Sequence, residues 1–335
     1  MAAYAVLGAT SWGVTLAALL ERAGHTVILL VRSDLEAAAI RSSGGLERLG
    51  AGRVLGPRVH IHAVPLAADH ADALAGAIVA VPSHSLRTTV AASGLPRGLS
   101  IVSAAKGLDL QTSARMTEVI AGLGFEPARI GALSGPNLAH EIVRGLPAAA
   151  VIAIPDPDLG TAWQSALSAG TFRVYASRDV VGVELAGALK NVIAIAAGAA
   201  WGLGFGANAV AAIMTRGLAE ITRLGLALGA DVATFNGLAG VGDLAATCFS
   251  SLSRNRRFGE LLAAGRTPAA AVAEIGETVE GAHTAPVALR LAAAAGVELP
   301  ITTEVAAVIG GERTVPEAMA RLLGRPLARE ELPGR

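Results

Sequence analysis

Cysteine occurs once in the 335 residues, at Cys248, so no internal disulfide can brace the fold. No group of cysteines and histidines has zinc-ligand spacing either, and no metal is expected. Charge is sparse: 16% of residues are charged, and Lys+Arg and Asp+Glu stand at 27 each. That balance leaves no surplus to neutralise a nucleic-acid backbone or to hold the chain on an anionic membrane. Basic residues are missing ahead of the first apolar run, MAAYAVLGAT, which points to a cytoplasmic chain and not a secretory one. Neither a GxSxG nucleophile elbow nor a Walker lysine motif occurs. Lysine itself is the rarest of the cations, present only as Lys106 and Lys190.

What the chain has in quantity is apolar surface and glycine: 53% hydrophobic residues and 40 glycines. Such a chain buries a large core, and its length suggests two domains. The most apolar stretch, Val183 to Ala200, approaches the roughly 20 residues of a membrane span. Lys190 and Asn191 sit in its middle, and a charge at mid-bilayer costs at least about 2.5 kcal/mol. A helix buried inside the protein is expected instead, with no integral membrane segment.

The first third alternates strand-length apolar runs with helix-like segments, the sequence form of βαβ units. Strands are expected at Tyr4–Leu7, Thr26–Val31, Val59–His62, Ala77–Val81, Ser100–Ser103 and Ile130–Leu133. Further strands are expected at Ala149–Ile154 and Phe172–Tyr175, with a helix near Leu159–Ser168 between them. Ile28–Val31 and Ile78–Val81 lack in/out alternation, as suits strands covered on both faces. From Val180 onward the pattern is helical, with breaks at Gly202–Gly206, Asn236–Gly242, Thr267–Pro268 and Pro300. The expectation is an α/β fold: a Rossmann-type, doubly wound, mostly parallel sheet over residues 1–178, then an all-helical domain over 179–335. The tail after Arg325 is charged and expected to fray.

Directly after the first strand stands Gly8-Ala9-Thr10-Ser11-Trp12-Gly13, followed by an amphipathic segment. In a dinucleotide-binding turn the glycines permit the bend, the approach of pyrophosphate and close helix packing. Here the middle glycine is replaced by Thr10, which puts a hydroxyl where diphosphate would meet bare backbone. At the end of the second strand the chain reads Val31-Arg32-Ser33. An arginine there accommodates a 2′-phosphate, so NADP(H) is the preferred coenzyme and NAD(H) a second possibility. Asp34 is expected to cap the next helix.

Arginine can replace lysine on a surface, but its high pKa prevents it from delivering a proton. The two surviving lysines therefore mark positions where arginine will not serve. Lys190 lies in the apolar helix, where burial lowers an amine toward a working general acid/base. Lys106 follows a strand at the carboxyl edge of the sheet, where open α/β folds bind ligands. Asp243, in Gly237-Leu238-Ala239-Gly240-Val241-Gly242-Asp243, is the natural counter-charge for Lys190. Ser253-Arg254-Asn255 opens a helical run and outlines a phosphate site at a helix N-terminus. His60 and His62 fit the exposed face of a strand.

Taken together, GATSWG, VPSH at 81–84, SAAKGLD at 103–109, SGPNLAHEI at 134–142 and ELAGALKNVIAIAAG at 184–198 resemble the bacterial NAD(P)-dependent sn-glycerol-3-phosphate dehydrogenases. GLGFGANAVAAIMTRGLAE at 202–220, GLAGVGDL at 237–244, SRNRRFG at 253–259 and VEG at 279–281 extend the resemblance in order to about Gly324. It implies reversible reduction of dihydroxyacetone phosphate, a small three-carbon phosphate, feeding phospholipid synthesis. It also implies that Lys190 transfers the proton and that Lys106 lies near both coenzyme and substrate. Gly135, Asn137, Asp243, Ser253, Arg254 and Asn255 would contact substrate. Ser11, Trp12, Arg32, Ala139, Arg254, Thr278 and Glu280 would contact coenzyme. The family usually has glycine at Thr10 and a small hydroxyl residue at Asn137. Asn137 motivates an alternative ketone bearing phosphate or phosphonate, and Thr10 an inactive NADPH-binding sensor. A homodimer is the expected assembly.

Overall fold

The structure is a computed structural model that describes residues 2–50 and 52–326. Eight strands form one sheet: β1 (Ala3–Leu7), β2 (Thr26–Val31), β3 (Val59–Ala63), β4 (Leu74–Val79), β5 (Ile101–Ser103), β6 (Ile130–Ser134), β7 (Ala148–Ala153) and β8 (Phe172–Ser177). Their order is β3-β2-β1-β4-β5-β6-β7-β8, parallel throughout except for the antiparallel β6/β7 pair. The chain winds outward from β1 to β3 and then returns to lay β4 on the other side of β1. Ligands of open α/β sheets bind beyond the carboxyl ends of the strands at such a reversal.

Burial follows the position of each strand. Inner strands β2 and β6 are buried along almost their whole length, whereas edge strands β3 and β8 alternate between buried and exposed. His60 and His62 lie on the exposed face of β3.

The boundary of β4 differs from expectation. Its ladder with β1 ends at Leu7↔Val79: the Ala80 N–H still donates to the Leu7 carbonyl at 2.9 Å, but the Ala80 carbonyl accepts from Thr10 Oγ1 at 2.7 Å instead of from a strand. The strand instead starts earlier, at Leu74, which pairs with Ala3, and a register irregularity follows before Gly76 pairs with Tyr4. Ser100 stands just outside β5, where its hydroxyl accepts from Trp163 Nε1 at 2.9 Å and donates to the Arg129 carbonyl at 3.3 Å. Asp34 is not the cap of the helix Asp34–Ser43: Ser33 is, accepting from the Glu36 N–H at 3.3 Å. Asp34 occupies the first turn, where a carboxylate favours the positive end of the helix.

Among the described residues, those in 2–105 and 116–180 form one compact unit, and those in 106–115 and 181–326 form the other. The short excursion 106–115 therefore packs with the helical unit although it follows β5 directly. In that unit the helix Val180–Gly202 is central, and 89% of its most apolar 18-residue window is buried in protein. Its Gly198 lets the helix Arg254–Ala263 cross at backbone distance, since a Cβ there would lie 1.9 Å from the Arg256 carbonyl oxygen. A second segment, Val232–Phe249, is also long and apolar enough to cross a membrane by length and composition; 39% of its window is buried. The expected break at Asn236–Gly242 is met at Asn236–Gly237, after the helix Val232–Phe235; Leu238–Gly242 is instead a widened, π-helical turn that runs into the helix Asp243–Phe249. The expected fraying of the C-terminal tail falls on 327–335, outside the described residues.

One buried carboxylate closes a helix end in this unit. Leu299 offers no capping side chain to the helix Pro300–Ile309. Glu220 does so from the helix Ala207–Ala227, accepting from Ile301 N at 2.5 Å, Thr302 N at 3.2 Å and Thr302 Oγ1 at 3.2 Å. Burial raises its carboxyl to about 7 against the pull of those donors. Glu220→Ala should leave two buried N–H groups unsatisfied and cost about 2 to 4 kcal/mol in urea unfolding; a loss under about 0.5 kcal/mol would contradict this role.

Candidate active site

The candidate residues divide between the two units. In the first, the turn after β1 is built for a close approach. Gly8 has φ +111°, and a Cβ on it would stand 2.5 Å from Val81 Cγ1. A Cβ on Gly13 would stand 2.0 Å from the Gly8 carbonyl oxygen. Both positions are glycine because strand, turn and helix leave no room for a side chain.

Thr10 is placed differently from expectation. Its Oγ1 accepts from Gly13 N at 3.0 Å and donates to the Ala80 carbonyl at 2.7 Å, so it is the N-cap of the helix Ser11–Arg22. The hydroxyl is committed to the protein through both of these bonds. Ser11 and Trp12, the first two helical residues, have no intrahelical acceptor for their N–H groups, and Trp12 Nε1 is buried without a partner among the described residues. These features fit the diphosphate of a dinucleotide at a helix N-terminus.

Arg32 directly follows β2, mostly exposed, and is forked onto Glu36 through Nε at 3.2 Å and NH2 at 3.0 Å. Further along the unit, Gly135 has φ +140° directly after β6, and Ala139 opens the helix Ala139–Val143. Asn137 lies between them, with both polar side-chain atoms buried and unpartnered among the described residues.

The second unit holds the ionisable cluster. Lys190 Nζ donates to Asp243 Oδ1 in a very short contact and to Thr247 Oγ1 at 2.7 Å. Lys106 Nζ donates to Asp243 Oδ2 at 2.6 Å. One carboxylate thus serves two ammonium groups, and its side chain is only 2% exposed, against 8% for Lys190 and 18% for Lys106. Burial lowers Lys190; Asp243 opposes the shift, Lys106 adds to it, and the amine comes down to about 8. For Asp243 burial acts upward, but the two lysines outweigh it and hold the carboxyl below its ordinary range. Cys248, buried nearby, is pushed up to about 12 and stays a protonated, unreactive thiol.

Ser253 caps the helix Arg254–Ala263, accepting from Arg256 N at 3.2 Å. Asn255 points into the protein: its Nδ2 donates to Asn191 Oδ1 at 2.9 Å and its Oδ1 accepts from Gly281 N at 2.9 Å. Asn191 in turn donates to the Lys106 carbonyl at 3.1 Å. A buried amide chain therefore runs from the helix Glu280–Ala294 to the backbone of Lys106. Arg254 is half-exposed, bonded to the Thr278 carbonyl at 2.8 Å and close to Glu277 at 3.5 Å. Glu280 is the first residue of the helix Glu280–Ala294.

Four residues of these networks escaped sequence reasoning. Thr247 carries a usable signal, four residues after Asp243 on one helix face. Asn191 is adjacent to Lys190 but reads as an ordinary polar residue. Glu36 reads as a helix-start residue. Arg48 gives no sequence signal, yet its Nε donates to Ser11 Oγ at 2.8 Å and its NH2 to the Ala9 carbonyl at 3.2 Å. No group of three or more metal-binding side chains occurs among the described residues.

A Rossmann-type sheet followed by an all-helical unit with a buried lysine–aspartate–lysine cluster has the architecture of a two-unit dehydrogenase. The family model for the NAD-dependent glycerol-3-phosphate dehydrogenase N-terminus matches residues 3–160, and that for the C-terminus matches 179–320. A glycerol-3-phosphate dehydrogenase [NAD(P)+] of Moorella thermoacetica is 43% identical over 329 residues, covering 97% of each chain. Glycerol-3-phosphate dehydrogenase [NAD(P)+] 2 of Mycobacterium bovis is 46% identical over 327 residues, covering 96% of each. The crystal structure of glycerol-3-phosphate dehydrogenase from Coxiella burnetii superposes with a TM-score of 0.89 at 32% identity, over 97% of this chain and 99% of that one. The chain belongs to the NAD-dependent glycerol-3-phosphate dehydrogenase family.

Removing the shared carboxylate tests the cluster. Asp243→Asn leaves two ammonium groups facing each other without a counter-ion and should cost about 3 to 5 kcal/mol at neutral pH. Because the folded-state pKa of Lys190 lies below its unfolded value, the folded state gains stability as pH rises through that interval. Urea unfolding of the variant should therefore recover part of the loss between pH 7 and pH 10, and a loss independent of pH would contradict the shared-charge account.

Proposed function

We propose that the chain reversibly reduces dihydroxyacetone phosphate to sn-glycerol 3-phosphate, with Lys190 as proton donor and acceptor. The observation that carries this is the pair of lysines sharing the buried Asp243 carboxylate. Burial pulls the Lys190 amine down, Asp243 holds it up, and a second ammonium on the same carboxylate weakens that hold. Lys190 can then release a proton near neutral pH and recover it in reverse.

In the reducing direction negative charge develops on the carbonyl oxygen, and Lys190 supplies a proton as it forms. When bound, the nicotinamide coenzyme supplies the hydride. Thr247 fixes the direction of the amine: its hydroxyl donates to the Asp243 carbonyl at 2.6 Å, which leaves a lone pair for Lys190. Lys106, Gly135, Asn137, Ser253, Arg254 and Asn255 complete the substrate contacts in this reading. The capped helix start and Arg254 suit the phosphate, and binding there orients the distant carbonyl. Asn137 brings an uncommitted amide. Asn255 acts chiefly by holding Asn191 and the Gly281 backbone.

Gly8, Thr10, Ser11, Trp12 and Gly13 would hold the coenzyme diphosphate, with Arg32, Lys106, Ala139, Arg254, Thr278 and Glu280 as further contacts. Arg32 favours NADP(H), with NAD(H) also accepted. Residues 1–178 serve the dinucleotide and 179–335 the substrate. A cytoplasmic homodimer supplying phospholipid synthesis completes the proposal; the exposed Phe205, Phe249 and Leu252 of the helical unit are in keeping with an assembly surface. Thr10 no longer motivates an inactive sensor, since its hydroxyl caps a helix.

Lys190→Ala should lower kcat about 10²-fold or more, measured as NADPH oxidation by dihydroxyacetone phosphate. Equal rates would remove Lys190 from the mechanism. Because reduction needs the protonated amine, its kcat/KM should fall as pH rises past about 8, while oxidation of sn-glycerol 3-phosphate should rise through the same range. Opposite limbs would reverse the assignment.

A further inference from the structure

Arg32 has a partner that the coenzyme reading does not use. Glu36 lies one helical turn on and takes the Nε–NH2 edge of the guanidinium, while its Oε2 also accepts the Arg32 backbone N–H at 3.0 Å. That edge is one of the two that a phosphate can engage in a two-pronged bond. Arg32 has a side chain 87% exposed and Glu36 one 23% exposed, so the arginine is free to swing while the carboxylate stays seated.

We propose that Glu36 is a specificity-determining residue: it holds Arg32 when the neighbouring ribose carries a 2′-hydroxyl and must surrender it to a 2′-phosphate. This rests on the reading of the Gly8–Gly13 turn and Arg32 as the coenzyme site. Partial burial raises the Glu36 carboxyl, but Arg32, with a smaller contribution from Arg48, outweighs it, so the group is ionised at neutral pH. A 2′-phosphate that displaces Glu36 forfeits the existing ion pair. One that binds the other edge of Arg32 places its charge beside a fixed carboxylate. Both routes penalise the phosphorylated coenzyme and spare the unphosphorylated one. A 2′-hydroxyl can donate to the same carboxylate, which is how acidic residues near this strand end select NAD(H). Glu36 thus tempers the preference that Arg32 creates and keeps both coenzymes usable.

Glu36 also supports the start of its helix, so the test must separate specificity from stability. NADH and NADPH are titrated separately into the full chain, with binding read from coenzyme fluorescence, for wild type, Glu36→Gln and Arg32→Gln. Glu36→Gln keeps an acceptor for the Arg32 N–H and should tighten NADPH by about three- to tenfold, with NADH unchanged or weaker. Arg32→Gln should weaken NADPH while sparing NADH. If Glu36→Gln leaves the NADPH:NADH affinity ratio within about twofold of wild type while Arg32→Gln loses NADPH, the role of Glu36 is overturned and the coenzyme reading stands. If Arg32→Gln changes neither coenzyme, the placement of the coenzyme beside Arg32 fails, and the role of Glu36 with it.

Discussion

One carboxylate between two ammonium groups governs the chemistry of this chain. Asp243 is almost wholly buried, and its own burial would favour neutralisation; Lys106 and Lys190 keep it charged. The three groups together carry a net positive charge in a desolvated site, and the more deeply buried amine, Lys190, absorbs the strain by giving up its proton more readily. Proton transfer near neutral pH follows from that arrangement without any unusual chemistry in the lysine itself.

Much of the surrounding architecture holds this cluster in place. The widened turn at Leu238–Gly242 leads the chain into the helix that carries both Asp243 and Thr247. The central helix Val180–Gly202 brings Lys190 and Asn191 as neighbours in sequence, one bonded to the carboxylate and the other to the backbone of Lys106. Asn255 and Gly281 continue the amide chain into two further helices. Buried polar groups of this kind are tolerated because nearly every donor has an acceptor. The turn after β1 shows the same economy at a lower charge, with Thr10 satisfying a helix end and leaving the first N–H groups of the helix for an anion.

The alternation of apolar runs made the sheet legible before any coordinates, because strands buried on both faces cannot be polar. Element ends were less legible. Whether Ala80 and Val81 belong to β4 depends on where β1 stops, and Ser33 displaced Asp34 as a cap through the local backbone path. The Asn236–Gly242 stretch reads as a break, and the chain does leave its helix at Asn236–Gly237, but Leu238–Gly242 forms a widened turn continuous with the next helix. Among site residues, Lys106 and Lys190 stood out because lysine is otherwise absent, and Asp243 because a buried amine needs a counter-charge. Arg48 could not stand out: it reaches the glycine-rich turn from 37 residues away, and nothing in a surface arginine reveals its destination.

Composition and periodicity determined the fold class, the two-part organisation of the pattern and the identity of the rare proton-bearing side chains, since these depend on residue type and spacing along the chain. Tertiary structure decided that Asp243 is shared and not paired, that the Thr10 hydroxyl turns inward, that Asn255 is tied into the core and that Arg32 is already held by Glu36. Each of these is a matter of which donor meets which acceptor. Such pairings are set by distances between segments far apart in the chain or by side-chain direction, neither of which a linear order encodes.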